Sequence, residues 1–125
     1  LWQAGDTGTD TVQDFHKDFN SAVDGDRLDL ADLLSGENLI GNGGLGNLLN
    51  FINVSTDNVV GNAALDTVIK VDASGGGDFA APDQVIYLQD VNLYADGPQG
   101  YGAGISETNL VLAMLGDGSL NVDSA

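Results

Sequence analysis

A chain of 125 residues, 42% of them hydrophobic, suffices for one domain with a real core, and zero cysteines exclude disulfides, thiolate zinc sites and thiol catalysis. Three basic residues against 19 acidic ones leave a formal charge of −16, which makes nucleic acid and anionic membrane poor partners. The acids are 17 Asp and 2 Glu, and together with 18 Gly they belong to turns around short strands rather than to a helical bundle.

In chain order, Leu1-Trp2-Gln3-Ala4 reads as the middle of a strand and not as a signal peptide, so a longer protein is expected to precede residue 1. Eight Asp (6, 10, 14, 18, 24, 26, 29 and 32) fall in the first 32 residues. Between them, Thr11 to Phe15 and Arg27 to Leu30 alternate like short half-buried strands. Asp32-Leu33-Leu34 can form one helical turn before Ser35-Gly36. After the Gly/Asn loop Gly41 to Gly46, Leu45, Leu48, Leu49 and Ile52 recur at helical spacing and predict a short amphipathic helix. Strands are predicted over Leu65 to Val71 and Gln84 to Leu88, with the loop Ser74 to Asp78 between them and Pro82 just ahead of the second. Asp96 to Gly104 is a further Gly-rich loop. Ser106 caps a predicted helix whose apolar residues Leu110, Val111, Met114 and Leu115 share a face, and Gly116 ends it. A last strand runs from Ser119 to Asp123. No apolar run reaches the roughly 18 residues of a spanning helix. The pattern is mainly β with two or three short helices.

The strongest local signal is Gly5-Asp6-Thr7-Gly8-Thr9-Asp10-Thr11-Val12-Gln13. It fits the nonapeptide Gly-Gly-x-Gly-x-Asp-x-U-x, with Asp6 in place of the second Gly, and its U position, Val12, turns inward. In that repeat the turn carbonyls and the Asp carboxylate bind calcium. Asp10 and Asp14 lie about 13 Å apart in a strand at 3.3 Å per residue, so they would serve different ions. Asp24, Asp26 and Asp29 surround Gly25 and can converge on one ion. The competing reading of these acids is a solvated negative face, and it is the preferred one for the Asp residues after position 66.

Gly41-Asn42-Gly43-Gly44-Leu45-Gly46 formally matches a dinucleotide fingerprint, but the preceding Glu37-Asn38-Leu39-Ile40 is too short and polar for the buried strand that site requires. His16 is the only His, and no Gly-x-Ser-x-Gly elbow exists. The chain is therefore read as non-enzymatic.

Taken in order, these segments resemble a family. Asp10 to Phe15 and Gly25 to Leu34 are similar to the segment that ends the calcium-binding repeats of RTX (repeats-in-toxin) proteins. Asp66 to Val71, Gln84 to Leu93 and Leu112 to Val122 follow the order of the C-terminal target domain of large RTX adhesins exported by type I secretion. The resemblance implies a single domain over 1–125 that terminates a β-roll or is β-sandwich-like. Residues 1–34 would be a repeat remnant with its capping segment, and residues 106–125 the secretion signal. It implies calcium as the cofactor, with Gly5, Gly8, Asp10, Asp14, Asp24, Asp26 and Asp29 as metal residues. The partners would be the type I machinery and the rest of the adhesin ahead of residue 1, the domain monomeric, not inserted in membrane, and located outside the cell or on its surface. The residues from 10 to 30 would form the edge that continues the roll, with Val12, Phe15, Leu28 and Leu30 buried. The alternative is a calcium-dependent carbohydrate-binding module, with Trp2, Tyr94 and Tyr101 as the available sugar platforms.

Overall fold

The computed structural model describes residues 8–12, 28–30, 46–57, 66–89, 91–95, 100–117 and 120–122. They form six strands and one α-helix: β1 (Gly8–Val12), β2 (Leu28–Asp29), β3 (Ile52–Asp57), β4 (Asp66–Val71), β5 (Gln84–Leu88), α1 (Glu107–Asp117) and β6 (Leu120–Asn121). Four strands make one mixed sheet in the order β1-β5-β4-β3, and β2 pairs with β6 in a separate two-stranded sheet. The described part of the chain is mainly β.

The two strands read from apolar runs form where expected. Strand β4 is interior to the sheet and almost wholly buried, whereas β5 alternates between buried Gln84, Ile86, Leu88 and half-buried Val85, Tyr87. Antiparallel register sets Val54 of β3 opposite Ile69, and Ile69 opposite Ile86 of β5. Register partners share a face, so Ile52, Val54, Ile69, Val71, Ile86 and Leu88 form one apolar surface. Leu28, Leu30, Leu110, Met114, Leu120 and Val122 close over it in the same core cluster. Each such side chain stabilises the fold by roughly 1.5–3 kcal/mol when removed from water.

Leu48, Leu49 and Ile52 do not make the expected helix, and Leu45 lies outside the described residues. One 3-10 turn, Leu48–Asn50, precedes Ile52, which opens β3. Pairing with β4 explains the change: Ile52 sits opposite Val71 and is 1% exposed, a burial that a short helix ending in solvent does not offer. The C-terminal helix is as read. Asn109 N donates to Ser106 Oγ at 3.2 Å and Leu110 N to Ser106 O at 2.9 Å, a serine cap on a helix that buries Leu110, Val111 and Met114. It runs one residue past Gly116 and packs on β3 and β6. The last strand is shorter than read, two residues, and pairs in parallel with β2. Among the described residues α1 is the one α-helix; the turn expected at Asp32 to Leu34 lies outside them, as does Phe15.

The loop from β4 to β5 is organised by its first residue. Asp72, 6% exposed, accepts from Ser74 Oγ at 2.5 Å, Ser74 N at 3.0 Å and Asp78 N at 2.9 Å. These donors, Ser74 Oγ foremost and then the Asp78 amide, hold its carboxyl below the ordinary Asp range, against the opposing effect of desolvation. Asp83 Oδ2 closes the loop by accepting from Ala73 N at 2.9 Å. Asp72 is therefore not the solvated residue expected after position 66. Within the loop Gly75 has φ +78°, and a Cβ there would lie 2.6 Å from Phe51 Cζ, so only glycine fits against that ring.

Candidate functional site

Strand β1 carries the second half of the Gly/Asp motif, and it lies at one edge of the four-stranded sheet, parallel to β5. Gly8 N donates to Asp83 O at 3.0 Å, and Gln89 N to Val12 O at 2.9 Å. Gly8 and Val12 thus bond toward β5, and by alternation the backbone groups of Thr9 and Thr11 point away from it. Gly8 to Thr11 are exposed, and Val12 is half-buried against the core. Gly8 takes φ +113°, a conformation that L side chains rarely adopt.

The register decides where Asp10 points. Gly8, Asp10 and Val12 oppose Gln84, Ile86 and Leu88, so Asp10 stands on the core side of the sheet, at its rim. There Gln84 Nε2 donates to Asp10 Oδ2 at 2.8 Å. Gln84 is 1% exposed, and its buried Oε1 has no hydrogen-bond partner among the described residues. A buried carbonyl oxygen left in that state is rare in native proteins and marks a place for water or an ion. Periodicity could have found this residue: Gln84 is a polar side chain two positions before Ile86, on the buried face of an alternating strand.

The remaining residues of the expected metal set are placed only in part. Asp29 lies on β2, opposite Asn121, in the other sheet from Asp10. Gly5, Asp14, Asp24 and Asp26 lie outside the described residues, and Trp2 and His16 do so too. Among the described residues, no three His, Cys, Asp or Glu side chains gather around one point. Calcium does not require that, because its ligands include backbone and amide carbonyls. The chemistry described at β1 fits a hard cation: a carboxylate and, on the amide bonded to it, a buried oxygen with no hydrogen-bond partner among the described residues.

A second polar cluster lies at the opposite edge of the sheet. Glu107 Oε2, from the first turn of α1, accepts from Val54 N at 2.6 Å and from Asn53 Nδ2 at 3.3 Å. Tyr94 Oη donates to Val54 O at 2.5 Å. Burial, and then the Glu107 charge, push the Tyr94 phenol up to about 12. Tyr94 is thereby tied into the fold, and Tyr101 packs half-buried on the core. Residues 91–93 are anchored by Thr67, whose Oγ1 donates to Val91 O at 2.6 Å and accepts from Leu93 N at 3.0 Å.

No protein-family model, no curated protein and no solved structure matches this chain. No helix among the described residues is long and apolar enough to cross a membrane.

Proposed function

We propose that this chain is a non-enzymatic C-terminal domain of an RTX-type adhesin exported by type I secretion, and that it binds calcium in order to fold outside the cell. The observation that carries the reading is Asp10 on the rim of an exposed edge strand, in the repeat register that turns Val12 inward, with a buried amide oxygen beside it. Asp10 with the Gly5–Gly8 turn would hold one ion, and Asp24, Asp26 and Asp29 around Gly25 another, with Asp14 serving an ion apart from Asp10. The metal would supply positive charge to a chain of net charge −16, whose carboxylates otherwise repel on compaction. Cytoplasmic calcium is scarce and extracellular calcium is millimolar, so the chain would stay loose during passage and fold after it. Residues 106–125, where α1 and β6 pack, would also serve as the uncleaved export signal; no Lys or Arg follows Lys70, which suits a tail kept soluble while unfolded.

Two experiments test the reading. Thermal melts of the purified chain in chelator and in millimolar calcium should differ widely, and coincident melts would refute the calcium switch. A passenger fused to the chain should be exported by a type I system and should be retained when residues 106–125 are removed. Export without that segment would leave α1 and β6 as packing elements alone.

A further inference from the structure

We propose that Gln84 is itself a calcium ligand, presenting Oε1 to an ion that it shares with Asp10. The inference rests on the calcium reading above, and it adds to that site a residue 74 positions away in the sequence. Three observations carry it. The Gln84 side chain is 1% exposed, and among the described residues its Oε1 has no hydrogen-bond partner, although the Nε2 of the same amide is bonded to Asp10. One planar amide thus pins a carboxylate through its nitrogen and leaves an oxygen beside that carboxylate. A neutral amide oxygen next to a carboxylate is a donor pair that calcium accepts readily, since its shell of six to eight oxygens mixes charged and neutral ligands.

Space is the second observation. Directly opposite Gln84 in the register stands Gly8, and a Cβ added there would meet no atom within 4 Å. The strand therefore leaves room at the one β1 position facing the orphaned oxygen's residue. The third is the floor of the site. Ile86 and Leu88 continue the face of Gln84 and are fully buried, so the sheet beside the amide is apolar on that side. Between a water and a cation as the partner of Oε1, the Asp10 carboxylate at the same amide favours the cation. Calcium suits this better than magnesium, which prefers near-ideal octahedral geometry and keeps its own waters.

Calorimetric titration of calcium into the full chain decides it, with Asp10→Asn, Gln84→Met and Gln84→Glu alongside. Met keeps the length and burial of the side chain without the oxygen, and Glu keeps the oxygen and adds charge. Gln84→Met should weaken one class of calcium site about tenfold, leaving any other class unchanged, and Gln84→Glu should strengthen it by a similar factor, because calcium affinity follows ligand charge and number. Asp10→Asn should weaken the same class. If Asp10→Asn weakens binding while both Gln84 variants bind calcium as the parent does, the calcium reading stands and the role of Gln84 is overturned. If the parent chain binds no calcium, both fall. Should Gln84→Met fail to fold, Gln84→Glu still discriminates: a carboxylate reaching the ion raises affinity, whereas one facing Asp10 alone lowers the melting temperature in chelator with no gain in affinity, and that result overturns the proposal.

Discussion

The two edges of the four-stranded sheet are finished in different ways. At β3 the outward N–H and C=O of Val54 are taken by Glu107 and Tyr94, side chains from 53 and 40 residues further along the chain. At β1 the residues from Gly8 to Thr11 are exposed, and among the described residues no strand lies beyond it. An edge whose backbone groups are already bonded cannot recruit another strand, while a bare edge can unless it is short, twisted or charged. The C-terminal half thus closes one edge of the sheet at Val54, and β1 from the N-terminal segment supplies the other edge. Under the proposed function the bare side is where a β-roll would continue and where calcium acts.

The largest effect that sharpens this contrast is calcium itself. Two sites at a hundredfold excess over their dissociation constants would add roughly 2.7 kcal/mol each, comparable with the whole stability of a small domain, about 5–15 kcal/mol. Hydrogen exchange as calcium is lowered stepwise from saturation should show protection lost first in β1 and β5, and in β3 and β4 only as the whole fold is lost. Simultaneous loss at both edges would remove the distinction.

Next in size is the sealed edge. Glu107→Ala leaves the Val54 N–H unsatisfied and should cost about 1–3 kcal/mol in denaturant unfolding. Glu107→Gln retains an acceptor oxygen and should recover most of that loss. Equal losses in the two variants would mean that the carboxylate's charge matters more than the hydrogen bond.

Tyr94→Phe should cost less, about 1 kcal/mol, since it removes one neutral bond to Val54 O. The same residue gives a pH signature. Its folded-state value, about 12, lies above the ordinary 10, so its neutral form is favoured by folding. That contribution is complete below pH 10 and is lost as pH rises toward 12. Tyrosinate absorbance should therefore show one late-ionising phenol in the folded chain, absent from Tyr94→Phe. A titration unchanged by the substitution would contradict this placement.

The smallest effect belongs to the bare edge. Thr9→Lys should change stability by no more than about 0.5 kcal/mol, because an exposed edge position loses no packing. A larger loss, measured in the same unfolding assay, would reveal that something covers β1.

Much of the secondary structure was legible from local pattern. Val68, Ile69 and Val71, and then Val85, Ile86 and Leu88, mark β4 and β5 because β-branched runs bounded by Gly and Pro have few other conformations open to them. Ser106 marked the start of α1, and the Leu28/Leu30 alternation marked two buried side chains. The Gly5 to Gln13 motif singled out Gly8 and Asp10, the residues that β1 places at the rim. Tertiary structure decided the rest. Ile52 fits a helical stripe as well as a strand, and only the antiparallel partner β4 selects the strand. The parallel pairing of β1 with β5, the amide of Gln84 on Asp10, and the Glu107 carboxylate on Val54 join residues far apart in the chain. Periodicity tells which face of a segment is apolar, not which segment covers it. A polar residue on a buried face, such as Gln84, acquires its partner only when a distant strand is brought alongside, and that is settled by closure of the whole core.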